Sequence, residues 1–149
     1  MSKHEEADLI LKLYELRREE TMRKAHDWYF LEFHPESKAD IDRIMFSEHS
    51  GHLRMVLSYW DMAAALVNHG AIGMELFDDT VGEHLGVFSK VEPFLAEARA
   101  DYGQQFVANL EKLIDATPEG RKRVAAMRER FKGVRAQLEA RRSGAAARG

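Results

Sequence analysis

Two of the seven histidines, His49 and His52, have the i, i+3 spacing that places a pair of metal ligands on one helical face, with Glu48 beside the first. Gly51 lies between them and favours a break in the helix, which would spoil that geometry. Neither H-E-x-x-H nor the E-x-x-H pair of di-iron bundles occurs anywhere in the chain. Solvated or helix-end histidines are therefore the expectation, and His49 with His52 is the weak metal alternative. The paired carboxylates Asp78-Asp79 and Glu5-Glu6 are sequence neighbours that mark wet helix faces, not a general acid and base. Gly70 and Gly73 follow a helix and not a strand, the wrong context for a phosphate loop. No G-x-S-x-G nucleophile elbow is present. No catalytic residue is assigned and no cofactor is expected, which leans the chain away from enzymes.

Two charged sets remain. Asp61 lies within an apolar helix, and it fits two surroundings. It is the wet edge of that helix together with Arg54 and Ser58, or it is a buried carboxylate paired with Arg99. An unpaired buried charge costs several kcal/mol, so burial requires such a cation. The second set is the C-terminal arginines. Val124, Met127, Phe131, Val134 and Leu138 repeat at 3, 4, 3 and 4, a two-heptad seam. The flanking e positions are Arg121, Arg128, Arg135 and Arg142, and the g positions are Arg123, Arg130 and Gln137. Two copies of such a helix would set arginine against arginine, so an acidic partner surface is favoured.

One is available in the chain itself. Residues 1–120 carry 12 basic and 23 acidic side chains, a net of −11, while 121–149 carry 10 and 2, a net of +8. The stretch 74–103 holds seven acids against Lys90 and Arg99. Packing of the last helix on its own acidic body is the expectation, with this arginine face free for an anionic partner as the alternative. Nucleic acid is disfavoured, because the seam must be buried, the rest of the chain repels phosphate and Phe131 is the single aromatic of the segment. An anionic membrane surface is a further option, weakened by the lack of tryptophan on that helix.

The elements that would position these residues are helical. Leu53–Val67 has twelve apolar residues in fifteen, and Arg54, Ser58 and Asp61 form one narrow stripe on it. Such a helix must be sheathed by others. Residues 5–33 form one long helix whose two apolar stripes fall out of phase near Arg17–Glu20, so it bends or changes partner there. Pro35 ends it. Ser37 caps a short helix with Asp40 in the capping-box position. Gly51 is the expected break before the central helix, with Ser50 as its cap. Gly70 is placed as the left-handed C′ residue, with Ile72 as its apolar contact. A long stripe runs from Phe77 to Tyr102, interrupted at Pro93. Thr80 and Glu83 could cap a fresh helix within it, and Gly82 and Gly86 would admit a close neighbour. Phe106, Leu110, Leu113 and Ile114 line the next helix. Thr117, Pro118 and Glu119 give an N-cap, N1 and first-turn signal for the last.

The expected fold is an all-α, single-domain bundle of five to seven helices around a central apolar helix, 51–69. One domain spans 1–142, including the basic helix 121–142, and 143–149 form a disordered tail. There is no cysteine, so thiol chemistry and thiolate metal sites are excluded. The opening MSKHEEADL lacks the apolar core of a signal peptide and no run reaches a membrane span, leaving a cytoplasmic location as the expectation.

The run from His52 to Ile114 resembles an uncharacterised bacterial family, domain of unknown function 4760. The resemblance is carried by YWDMAAALVNHG, AIGMELF, the neighbourhood of Gly82, and VEPFLAEAR. In that pattern an aromatic-acidic pair, here Trp60-Asp61, precedes a glycine turn at Gly70, a short helix at Glu75-Leu76-Phe77 and a Pro-aromatic helix from Pro93-Phe94 to Arg99. The acid is Asp61 where the pattern leads one to expect Glu, and the N-terminal membrane helix common in such proteins is missing. The resemblance implies an all-helical fold, favours an Asp61–Arg99 pair and supplies no activity. The functional expectation is a non-catalytic interaction or scaffold module with a protein partner, another chain or a second copy. The alternative is binding of a small apolar ligand, or of an anionic polymer through the arginine helix.

Overall fold

A computed structural model describes residues 2–148. Nine α-helices and one 3-10 turn account for the fold, with no strand among the described residues. Helix α1 (Lys3–Arg17) opens on a full capping box between Ser2 and Glu5. It stops where its apolar phase is lost, and the Glu19 carboxylate restarts the chain as α2 (Glu20–Leu31) by accepting from the Met22 N–H. The single helix expected over 5–33 is thus two. Helix α3 (Lys38–Met45) is capped by Ser37. The Asp40 carboxylate reaches back to the Glu36 N–H and not to that of Ser37.

Helix α4 (Ser50–Asn68) is the centre of the molecule. Leu53, Val56, Leu57, Tyr59, Trp60, Ala63, Ala64 and Val67 are all buried, while Arg54 and Ser58 face out, as the stripe required. Gly51 lies inside this helix and does not break it; the cap position falls to His49, which makes no side-chain cap bond. The exit is a Schellman turn. Gly70 has φ +82°, its N–H bonds the Val67 carbonyl, and the Ala71 N–H bonds that of Leu66. Ile72 is fully buried just beyond.

The stretch expected as one or two helices over 74–102 is three. They are α5 (Met74–Thr80), α6 (Glu83–Val91) and α7 (Leu95–Tyr102), with Pro93 inside a 3-10 turn between the last two. Gly82, not Thr80, takes the cap position of α6. These two breaks, with the one at Arg18–Glu19, carry the helix count above five to seven. Helix α8 (Ala108–Ala116) packs along α4.

The last helix, α9 (Gly120–Arg148), begins later than Thr117 indicates. Thr117 is buried, and its hydroxyl donates to the Leu113 carbonyl at 2.7 Å, finishing α8 and not starting α9. Gly120 makes the junction possible, since a Cβ there would lie 2.0 Å from the Ile114 carbonyl oxygen. The helix continues to Arg148, past the Arg142 end and into the stretch expected to be disordered, because Ala145, Ala146 and Ala147 favour helix and neither Ser143 nor Gly144 stops it. Gly149 lies outside the described residues. At 29 residues α9 is roughly 44 Å long, longer than the body can cover.

Candidate functional site

The histidine pair is assembled by α4 and its approach. His49 stacks on Trp28 with ring centres 5.2 Å apart and planes 12° apart, and His52 lies 5.9 Å from both rings. The two imidazoles therefore pack on an indole, and His52 Nδ1 is buried without a partner. No group of three His, Asp or Glu side chains is placed to hold a metal among the described residues.

Asp61 and Arg99 do not meet. Asp61 accepts from the Leu110 N–H at 2.9 Å and from Asn109 Nδ2 at 3.0 Å. It thereby caps the start of α8 from across the core, satisfying a donor that Val107, at φ +45°, leaves unpartnered. Asn68, two turns further along the same face of α4, donates to the Asn109 carbonyl. Arg99 instead donates to Glu111 at 2.8 Å and to the Phe106 carbonyl at 3.1 Å. Asp61 belongs to the α4–α8 joint and Arg99 to the α7–α8 joint, and a backbone N–H stands where the guanidinium was expected.

Three buried side chains, His26, His84 and Lys90, carry polar chemistry that spacing alone does not single out. His26 on α2 accepts from Trp60 Nε1 at 2.9 Å, so its other nitrogen carries the proton and donates to the Met22 carbonyl at 2.8 Å. Both nitrogens are spent. Burial, its largest cause, lowers the pKa of His26 and favours the neutral ring. A general base needs a free lone pair, which this ring lacks. His84 on α6 lies between Trp60 and Phe77, with its Nδ1 buried and unpaired. Burial pushes it down to about 4. Beside this centre, Arg17 grips Glu83 through two hydrogen bonds and ties α1 to α6.

The third is Lys90, at the end of α6. Its ammonium points at the C-terminal end of α2, donating to the carbonyls of Phe33 at 2.6 Å, Tyr29 at 2.8 Å and Phe30 at 3.4 Å. The rings of Phe131, Tyr29 and Phe30 surround it at 5.4–5.7 Å. Burial, with a contribution from Arg135, pushes it down to about 7. Three carbonyls match the three N–H bonds of the charged form, and the negative helix end favours it further, so this geometry retains the proton. A lysine so occupied is a helix cap and not a nucleophile. A groove of about 520 Å³ opens above it, between α9, the His34–Glu36 link and the Pro93 turn.

The arginines divide. Arg121 is held by Glu92, Glu111 and Asp115, each at 2.6–2.8 Å, and its pKa is raised by them. Arg123 pairs with Asp78 at 2.9 Å. Arg128 pairs with Glu92 and donates to the Ser89 carbonyl at 2.9 Å. The acidic stretch 74–103 thus receives α9, through Asp78 and Glu92. Arg135 reaches only Glu36 at 3.5 Å and, within its own helix, Glu139 at 3.1 Å. Arg142 makes no ion pair among the described residues and lines a second groove of about 280 Å³ between α9 and the end of α2. Apolar side chains of that groove face solvent: Leu31 is 59 % exposed, Val134 47 % and Leu138 37 %. No helix is long and apolar enough to cross a membrane among the described residues.

The sequence profile of a family described as a domain of unknown function (DUF4760) matches residues 4–117, which span α1 to the end of α8 and exclude α9. No curated protein and no solved structure matches the chain.

Proposed function

The chain belongs to the DUF4760 family, and from that premise we propose that it is a non-catalytic interaction module whose partner docks on the outer half of α9. The observation that supports this is an apolar seam that outruns its own body. Val134 and Leu138 continue the spacing of Val124, Met127 and Phe131, yet they lie open beside Leu31. Exposed apolar positions at helical spacing suit a partner helix. The edges of the seam, Arg135 and Arg142, select for carboxylates on that helix and against a second copy of α9, which would bring like charges together. Saturated nitrogens on His26 and a lysine committed to carbonyls favour binding over catalysis.

A direct test uses two synthetic amphipathic helical peptides with the same leucine seam, one flanked by glutamates and one by lysines. The glutamate peptide binds the protein, the lysine peptide does not, and Val134→Ser with Leu138→Ser weakens binding about tenfold or more, a loss of roughly 1.4 kcal/mol. Equal binding of both peptides, or binding indifferent to those substitutions, contradicts the proposal.

A further inference from the structure

We propose that the groove above Lys90 binds a small organic oxyanion, a carboxylate or phosphate group carried on an apolar body. Lys90 is 8 % exposed, and among the described residues it has no carboxylate partner. Its charge is met by neutral groups alone, the carbonyls at the end of α2 (a helix end worth roughly half an elementary charge), His34 Nδ1 at 3.4 Å and the rings of Tyr29, Phe30 and Phe131. Every other well-buried cation of the body is treated differently: Arg17, Lys38, Arg99 and Arg128 each face a carboxylate. Further positive charge collects at the same place. Arg135 and Lys132 line the groove; burial lowers the pKa values of Lys90 and His34, with a smaller contribution from Arg135 to the first and from Lys90 to the second. Glu36 is the single acid of the lining, and it is an exposed side chain at 3.5 Å from Arg135. Four cations line the groove against one acid, and the most buried of them, Lys90, lacks a carboxylate, so the floor of the groove holds a positive potential that an anion relieves.

The walls specify the rest of the ligand. Pro35, Pro93, Phe94 and Phe131 line the groove, and apolar surface predominates in it. At about 520 Å³ it lies within the range of small-molecule sites. Arg128, already bonded to Glu92 and the Ser89 carbonyl, and Lys90, with its N–H bonds taken, set the field without moving. Lys132 and Arg135 hold their heads at the surface in exposed pairs, Lys132 with Glu129 at 3.2 Å and Arg135 with Glu139 at 3.1 Å and Glu36 at 3.5 Å. Such solvent-exposed pairs are weak enough for an anion in the groove to replace. A bare anion would leave the proline and phenyl walls wet, and an uncharged apolar molecule would leave Lys90 without a negative charge to face.

Titration calorimetry with phenyl phosphate and decanoate tests this, with inorganic phosphate as the head alone and decanol as the body alone. One of the two amphiphiles binds at least about tenfold tighter than either fragment, and which one does so distinguishes phosphate from carboxylate chemistry. Lys132→Ala with Arg135→Ala lowers that affinity about tenfold or more, while the melting temperature of the free protein is held. Val134→Ser with Leu138→Ser leaves it unchanged, which separates this site from docking on the outer half of α9. The inference is overturned by any of three results: no binding of either amphiphile at millimolar concentration, equal binding of a fragment, or affinity indifferent to the Lys132 and Arg135 substitutions.

Discussion

The inner half of α9, residues 120–131, and the outer half, 132–148, have matched compositions and unlike surroundings. Each carries five basic side chains and one acidic, and the same apolar seam runs through both. In the inner half Val124 is fully buried, Phe131 rests against Gly86 and Phe30, and Arg121, Arg123 and Arg128 are each met by a carboxylate of the body. In the outer half no residue is buried and the body supplies one distant acid, Glu36. The lesson is that a helix takes its role from the surface facing it. One stretch of pattern serves as a staple where the body has acids and apolar grooves to offer, and is left open to solvent where they end. The family match stops at Thr117, so both halves lie on a helix outside the matched body.

The two halves differ most in how they tolerate a methyl group added at a glycine. Gly120→Ala puts a Cβ 2.0 Å from a backbone oxygen that cannot swing away, and a loss on the order of 3 kcal/mol is expected from denaturant unfolding. Gly133→Ala, in the outer half with open space around it, is neutral or slightly stabilising in the same assay.

Acid sharpens the difference next. His84 lies beneath the inner half, near the Asp78–Arg123 pair, and burial lowers its pKa from 6.5 to about 4. A pKa lower in the folded than in the unfolded state means that the unfolded chain binds more protons, so the full contribution of this group is present above pH 6.5. It is lost as pH falls towards 4, by about 3 kcal/mol in all at roughly 1.4 kcal/mol per pKa unit. His84→Leu removes an unpaired buried nitrogen and flattens the stability curve between pH 6.5 and 4. A curve as steep as that of the wild type would place the acid sensitivity elsewhere.

How much of this the sequence displayed depended on whether each signal was local. The sheathing of α4, the Gly70 turn, the Ser37 cap and the interruption at Pro93 follow from spacing and from residue types that act on their own backbone, and all are present. The charge split located the landing of the inner half of α9 because seven acids in thirty residues outweigh any single pairing. Individual pairings were not legible. Asp61 caps a helix 49 residues away and Trp60 finds His26 across 34, and no spacing rule reaches that far. Thr117-Pro118-Glu119 misled because Thr117 is already used by the helix before it. Lys90 looked like one base among acids, and only the fold shows that it faces carbonyls.

Smaller effects complete the contrast. Arg128→Ala removes a partly buried pair with Glu92 and a bond to the Ser89 carbonyl, and about 1–2 kcal/mol of stability is expected to go with it. Arg142→Ala, with no ion pair to lose among the described residues, changes stability by no more than about 0.5 kcal/mol. Val134→Ser with Leu138→Ser is expected to fall in that same range, since these side chains are exposed, while still weakening the acidic peptide. Thermal unfolding of the three variants side by side checks the order.

The most direct measurement is residue-resolved amide hydrogen exchange along α9 in the free protein. Protection close to that of α4 from Val124 to Phe131, falling steeply beyond Gly133, is the expected profile. Addition of the glutamate-flanked peptide should then raise protection in the outer half alone. Uniform protection along the whole helix before any partner is added, or none in either half, would contradict the division on which this account rests.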